Sequence, residues 1–134
     1  MVKLEISQII IDEGKSEQVI VLNECDGPRR LPIVLGSAEA YAIRAHLSGV
    51  ITRRPLTHDL MYSFLNTMEI ELEKVIIDKL VDNTFHAKIY LITKDDTLKV
   101  VDARPSDGIA LAVRTSSPIF AEESIFDQLS KKAQ

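Results

Sequence analysis

Residues 84–93 alternate strictly between apolar and polar side chains, and this pattern constrains the fold more than any other feature of the chain. The apolar set consists of Phe85, Ala87, Ile89 and Leu91. The pairs Asp82-Asn83 before this segment and Asp95-Asp96 after it are typical of tight turns. Residues 72–81 and 98–103 are therefore predicted to be the flanking strands of an antiparallel sheet.

Four further strands are predicted outside this central segment. They lie at residues 3–12, 18–23, 31–35 and 119–120. Pro32 has no N–H to donate to a strand ladder, so the strand at 31–35 is predicted to lie at a sheet edge or to begin there. The turn chemistry of residues 12–16 predicts a hairpin between the first two of these strands.

Four helices are predicted from capping residues and apolar spacing. Ser37, Thr57 and Ser106 are predicted N-caps of the first three, because a hydroxyl oxygen can accept a hydrogen bond from a free helical amide. Residues 122–132 are predicted to form the fourth. In the second helix, the predicted core-facing residues are Leu60, Met61, Phe64, Leu65 and Met68. Runs of neighbouring strands with a few helices predict an α+β fold, a single domain over residues 1–134 with a mostly antiparallel mixed sheet and helices packed against it.

Composition limits the class of partner and the compartment. The formal net charge of −4 argues against avid, sequence-independent binding of nucleic acid, but not against an enzyme that contacts nucleic acid locally. The single cysteine, Cys25, cannot form an internal disulfide, which fits a reducing compartment. No apolar run approaches the ~20 residues of a membrane span, and Met1–Glu5 does not resemble a signal peptide. A cytoplasmic protein without membrane contact is expected.

Two motifs place an arginine and a proline before a predicted helix. They are Arg54–Leu60 and Asp102–Asp107. The free amides at a helix N-terminus bind anions, and an arginine beside them adds bidentate recognition of phosphate. The predicted phosphate-binding residues are Arg54, Arg104, Thr57 and Ser106. The motifs are also predicted to converge on one concave site, with His58 at its rim.

The same motifs carry residues suited to catalysis or to metal binding. His58 can act as a general base near neutral pH, and Asp59 and Asp107 are predicted catalytic residues beside it. The predicted metal ligands are the carboxylates of Glu39, Asp59 and Asp107, with Asp102 a further available carboxylate. Such a sparse set suits a divalent cation, Mg or Mn, that keeps several waters. The motifs could instead have a purely structural role, in which the proline fixes the helix start and the arginine pairs with the aspartate.

At these motifs the sequence resembles the bifunctional nuclease family, and the resemblance runs from about Leu4 to Phe126. The stretches that carry it are Leu31–Gly36, Glu39-Ala40, Arg54–Leu60, Asp82–Phe85 and Asp102–Asp107. The resemblance implies a small domain of helices and strands, and a nuclease that hydrolyses phosphodiester bonds in DNA and RNA. Low sequence specificity is expected because no base-reading module is visible, and divalent-metal assistance is expected from the carboxylates of the motifs. Gly108 departs from the family, which usually has alanine there, and is expected to weaken the helix start by about 1 kcal/mol.

Two other functions remain open at this point. The arginines and helix starts would equally serve a non-catalytic module that binds a phosphorylated ligand or a protein partner. The motifs could also be determinants of the fold in an oligomeric structural protein. Nucleic acid is expected as a transient substrate, and a homo-oligomer is left open.

Overall fold

Seven strands form the sheet of the computed structural model, which describes residues 1–132. They are β1 (Val2–Ile10), β2 (Glu17–Glu24), β3 (Arg30–Gly36), β4 (Glu71–Val81), β5 (Thr84–Ile92), β6 (Leu98–Ala103) and β7 (Ile119–Ala121). The helices are α1 (Ser37–Leu47), α2 (Thr57–Thr67), α3 (Pro105–Thr115) and α4 (Glu123–Lys132). No helix within the described range is long and apolar enough to cross a membrane.

The sheet consists of two antiparallel meanders, β1–β3 and β4–β6, which are joined by the short central strand β7. Its order is β3-β2-β1-β7-β4-β5-β6. β7 pairs antiparallel with β1 and parallel with β4, which makes the sheet mixed. The predicted α+β fold with a mostly antiparallel mixed sheet is confirmed. β3 lies at one edge, where the missing N–H of Pro32 is tolerated, as predicted.

The hairpin between β4 and β5 turns at the predicted pair of residues. Asp82 and Asn83 have φ of 51° and 62°, so both adopt the left-handed conformation. Val81 and Thr84 pair directly on either side of them. A two-residue turn with two left-handed residues matches the twist of the strands, and aspartate and asparagine tolerate that conformation.

Helix α3 is the most deeply buried helix of the described chain. Residues 109–112 are each at most 4% exposed, because α1 and α2 pack against α3 while α3 packs against β4 and β5. The start of α3 is thereby held close to the starts of the neighbouring helices.

The predicted core face of α2 is only partly correct. Met61 and Leu65 pack against the core, but Leu60, Phe64 and Met68 face solvent. The buried face of α2 instead begins with His58, which is 7% exposed. The inward face therefore combines Met61 and Leu65 with His58, whose hydrogen bond to Asp107 on α3 is not visible in the apolar spacing of α2.

The three predicted N-caps are wrong by one or two residues. The N-caps are Gly36, Leu56 and Arg104, and none of the three helices has a side-chain cap. The Ser37 hydroxyl instead donates to the Ser16 carbonyl and accepts a hydrogen bond from Gln18. At α3, Pro105 occupies the first helical position, where its fixed φ favours a helix start one residue before Ser106.

We expect Gly108→Ala to destabilise the protein, although helix propensity alone favours alanine by about 1 kcal/mol. A β-carbon at position 108 would lie 2.8 Å from Cγ1 of the buried Val75, so overpacking of about 1–3 kcal/mol opposes the propensity gain. Chemical denaturation of Gly108→Ala, Val75→Ala and the double variant measures the coupling. Stabilisation by Gly108→Ala in the wild-type background would contradict the steric argument.

Candidate functional site

The starts of α2 and α3 meet through a pair of side chains from the two motifs. Nε2 of His58, the second residue of α2, lies 2.9 Å from Oδ1 of Asp107, the third residue of α3. The two residues are 49 positions apart in sequence. Packing of α2 against α3 brings them together, and burial of the His58 ring fixes its orientation.

Arg104 completes this cluster by donating to both oxygens of the Asp107 carboxylate, so Oδ1 is shared between Arg104 and His58. Its Nε donates to Oδ2 of Asp107 at 2.9 Å, and its Nη2 donates to Oδ1 at 3.1 Å. Its Nη1 reaches Oε1 of Glu39 on α1 at 3.4 Å. The Arg104 side chain is nevertheless 67% exposed, so its guanidinium faces solvent as well as the two carboxylates.

A cavity of about 460 Å³ opens beside this cluster, and we name it the Asp107 cavity. Its apolar wall comes from alanines of α1 and from Leu56. Its polar lining consists of Glu39, Tyr41, Thr57, His58, Arg104 and Asp107. Residues from both motifs and from α1 thus share one concave surface.

The ionisation of Asp107 determines which nitrogen of His58 carries a proton. Burial of the Asp107 carboxyl tends to raise its pKa, but the hydrogen bonds from Arg104 and His58 and the charge of Arg104 outweigh burial and leave the pKa below its usual value. An ionised carboxylate can only accept hydrogen bonds, so Nε2 of His58 must donate. In the neutral imidazole, Nδ1 is then the acceptor, which is the state that a general base requires.

Asp59 does not join this cluster, although it is adjacent to His58 in sequence. Its Oδ1 accepts a hydrogen bond from Nε of Arg114 at 2.8 Å, and its Oδ2 accepts one from the Leu56 amide at 2.9 Å. The Arg114 side chain is 3% exposed. Both residues line a second cavity of about 420 Å³, the Arg114 cavity. Asp59 therefore fixes the start of α2 to the far end of α3.

Low pH should reduce the stability of the folded protein by protonating Asp59 in its pair with Arg114. The Arg114 hydrogen bond, followed by that of the Leu56 amide, lowers the pKa of Asp59. Because the pKa of Asp59 is lower in the folded state, its contribution to stability is complete above the ordinary aspartate pKa of about 4. That contribution is lost as the pH falls through the pKa of Asp59 in the folded state. Denaturation at several pH values should show the difference between wild type and Asp59→Ala shrinking below about pH 4. A constant difference down to pH 2 would rule out this linkage.

Of the remaining predicted site residues, only one lines the Asp107 cavity. Thr57 lines it, whereas Ser106 lines a neighbouring cavity on the other side of Arg104. Arg54 is exposed, and its guanidinium has no hydrogen bond or ion pair with any residue in the described range. Asp102 pairs with Lys88 at 2.9 Å on the surface of the sheet. The two helix starts converge, but Arg54 does not line the shared cavity.

The carboxylates do not form a ready-made metal cage. Between residues 1 and 132, no three His, Cys, Asp or Glu side chains are grouped so that they could hold a metal ion. Glu39 and Asp107 do flank the same cavity, and with Arg104 they give a formal sum of −1, from two carboxylates and one guanidinium. Both carboxylates accept hydrogen bonds from Arg104. Because Mg²⁺ needs only one or two protein carboxylates and otherwise keeps water or substrate oxygens, Glu39 and Asp107 are the two residues of this cavity that could hold such a cation.

Arg114 is the residue of this region that sequence reasoning missed. Arg114 directly follows the apolar run from Ile109 to Val113, and no residue near it in sequence indicates a partner for its charge. Its partner Asp59 lies 55 positions away. The available signal was the spacing: Asp107 and Arg114 are seven residues apart, so they share one face of α3, and this face meets α2.

A family model described as the bifunctional nuclease domain matches residues 20–134 of the chain. An uncharacterized protein of Mycobacterium tuberculosis is 37% identical over 128 residues, which cover 96% of this chain and 76% of that protein. Bifunctional nuclease 2 of Oryza sativa is 29% identical over 118 residues, covering 86% of this chain and 36% of the rice protein. Bifunctional nuclease 1 of Arabidopsis thaliana is 30% identical over 103 residues, covering 75% of this chain and 32% of the Arabidopsis protein.

Proposed function

Because the chain belongs to the bifunctional nuclease domain family, we propose that it hydrolyses phosphodiester bonds in DNA and RNA, with the Asp107 cavity as its active site. The observation that carries this proposal is the hydrogen bond between buried His58 and half-buried Asp107, with Arg104 beside it. In this arrangement, the His58 imidazole can serve as a base and the Arg104 guanidinium can bind phosphate, both at the wall of one cavity. The named plant relatives support the same class of substrate.

In the proposed reaction, His58 activates the attacking water. Nδ1 takes a proton from the water as its oxygen bonds to phosphorus, and the bond from phosphorus to the leaving nucleoside oxygen breaks. The imidazolium then returns the proton to the leaving oxygen or to solvent. Asp107 holds the ring in the required tautomer and stabilises its positive charge while the proton is bound. With water as the nucleophile, the proposed reaction extends to DNA, which has no 2′-hydroxyl.

Arg104 is the proposed principal phosphate ligand. A guanidinium has five N–H donors, and the contacts of Arg104 to Asp107 and Glu39 use three of them. The other two are available to the non-bridging oxygens of a phosphate. Thr57 is a proposed second contact from the start of α2, with Arg54 and Ser106 as outer contacts to flanking phosphates.

A divalent cation is proposed as a cofactor that is held together with the substrate. Glu39 and Asp107 would be its protein ligands, and Asp59 would contribute only if it released Arg114. When bound, Mg or Mn would neutralise phosphate charge in a cavity whose own charges sum to −1. The net charge of −4 also favours a nucleic acid that binds transiently, and the lone cysteine supports a cytoplasmic location.

Incubation of purified protein with single- and double-stranded DNA and RNA tests the proposal. Weak cleavage with little sequence preference is expected with Mg²⁺ or Mn²⁺, with much less after chelation. Arg104→Ala should lower the rate at least about tenfold, since it removes a charged phosphate contact. Arg44→Ala is the matched control, because Arg44 is exposed on α1 and does not line the Asp107 cavity. If wild type cleaves no faster than Arg104→Ala with any of several divalent metals, the nuclease proposal fails.

A further inference from the structure

The outer face of α2 is an uncovered apolar surface. Leu60, Phe64 and Met68 are 50%, 58% and 63% exposed, and Leu56 precedes them at the same spacing of four residues. We name these four residues the α2 stripe. Side chains four residues apart lie along one ridge of a helix, so the stripe is continuous over the length of α2.

The apolar surface extends beyond α2 on both sides of Leu56. Tyr41 lines the Asp107 cavity together with Leu56, while Val50 and Ile51 line the Arg114 cavity with it. Ile51 is 95% exposed. At ~200 Å² for a fully exposed large apolar residue, the exposed fractions of the stripe and these three neighbours correspond to roughly 800 Å². The largest apolar patch of a typical monomer is about 300–600 Å².

We propose that the α2 stripe is the interface of a homodimer, in which α2 packs against α2 of a second copy. The area matches the ≈ 800 Å² that each partner contributes to a standard stable interface. α2 contains no lysine or arginine, and its one carboxylate, Asp59, is paired with Arg114. The stripe can therefore meet its own copy about a two-fold axis without like-charge repulsion between two chains that each carry −4.

The geometry of the stripe also indicates how the two helices cross. Ridges formed by residues four apart interdigitate at an interaxial angle of about −50°. A two-fold axis near Leu60 and Phe64 would place these side chains against their counterparts at the centre of the interface. Because Leu56 and Tyr41 line the Asp107 cavity, the second copy would also border that cavity. The dimer does not depend on the proposed phosphodiester chemistry.

Light scattering on the purified full chain tests the dimer. Between about 1 and about 100 µM, a range that spans micromolar Kd values, the mass of wild type should rise towards twice the chain mass of 15.0 kDa, and the rise gives Kd. Phe64→Glu should raise Kd at least about 30-fold, because it places a charge at the centre of the interface on both copies. Met68→Lys is a second variant with the opposite charge.

Val34→Glu is the matched control, since Val34 is 57% exposed on edge strand β3, outside the stripe. It should leave the dimer intact. A monomeric wild type at about 100 µM overturns the proposal, as does a folded Phe64→Glu or Met68→Lys variant with an unchanged Kd. Dissociation by Val34→Glu alone would move the interface to the sheet edge and equally overturn it. Binding of a monomeric wild type to anionic vesicles would assign the stripe to a membrane surface instead.

Discussion

Replacing His58 by glutamine should lower the rate of phosphodiester cleavage at least about 100-fold, the lower range of general-base contributions. Glutamine can still donate a hydrogen bond to Asp107, so the contact between α2 and α3 is largely kept. It cannot take a proton from water at neutral pH. Initial rates on a labelled oligonucleotide, with melting temperatures measured in parallel, separate lost chemistry from lost structure.

His46→Gln is the matched control for this experiment. His46 is exposed on α1 and lines the Arg114 cavity rather than the Asp107 cavity. Its replacement should leave the rate unchanged. Retention of more than half the wild-type activity by a folded His58→Gln protein would exclude His58 as the base. An equal loss in both variants would point to a contaminating nuclease or to an unspecific effect.

Asp59→Ala should produce the largest loss of stability among the site variants, about 3 kcal/mol in the free energy of unfolding. Arg114 is 3% exposed, and removal of its partner leaves a buried guanidinium without a counter-charge. A residue that only complemented a helix dipole would contribute about 1 kcal/mol or less. Urea denaturation measures the loss, and cleavage assays below the unfolding transition test the predicted catalytic and metal roles of Asp59.

Two further variants test whether the uncompensated charge causes this loss. Asp59→Ala combined with Arg114→Met should recover most of the stability, because no buried charge remains. Asp102→Ala removes a carboxylate from an ion pair in which Asp102 is 74% exposed, and should change stability by less than about 1 kcal/mol. A double variant no more stable than Asp59→Ala would show that packing, rather than charge, dominates at this position.

Local patterns predicted most of the fold. Alternation and turn chemistry identified the β4–β6 meander, because a hairpin is determined by residues close in sequence. The central position of β7 was not predictable, since a strand of three residues carries no information about its neighbours. The α2 face was misassigned for a related reason. His58 shares the inward face with Met61 and Leu65, and its partner Asp107 lies 49 positions away, where local spacing gives no sign of it.

The candidate site was predictable as a set of residue types but not as a set of pairs. The two motifs contained His58, Arg104 and Asp107, whose chemistry suits phosphate and proton transfer. Their sequence could not distinguish Asp59 from Asp107, because each is the third residue of a helix whose start carries an Arg-Pro pair. Tertiary packing separates them by placing a buried arginine beside the first and a histidine beside the second.

The short strand β7 affects the order in which the molecule can assemble during synthesis. Both meanders leave the ribosome before Ile119–Ala121, which joins β1 to β4 through three residue pairs on each side. Until then, β1 and β4 each have an unpaired edge available to other nascent chains. Segments that emerge first can fold first, so each meander can form early, whereas a continuous sheet waits for Ile119–Ala121. A chain truncated before Ile119 would therefore consist of two half-sheets, whose unpaired strands β1 and β4 could pair with strands of other chains.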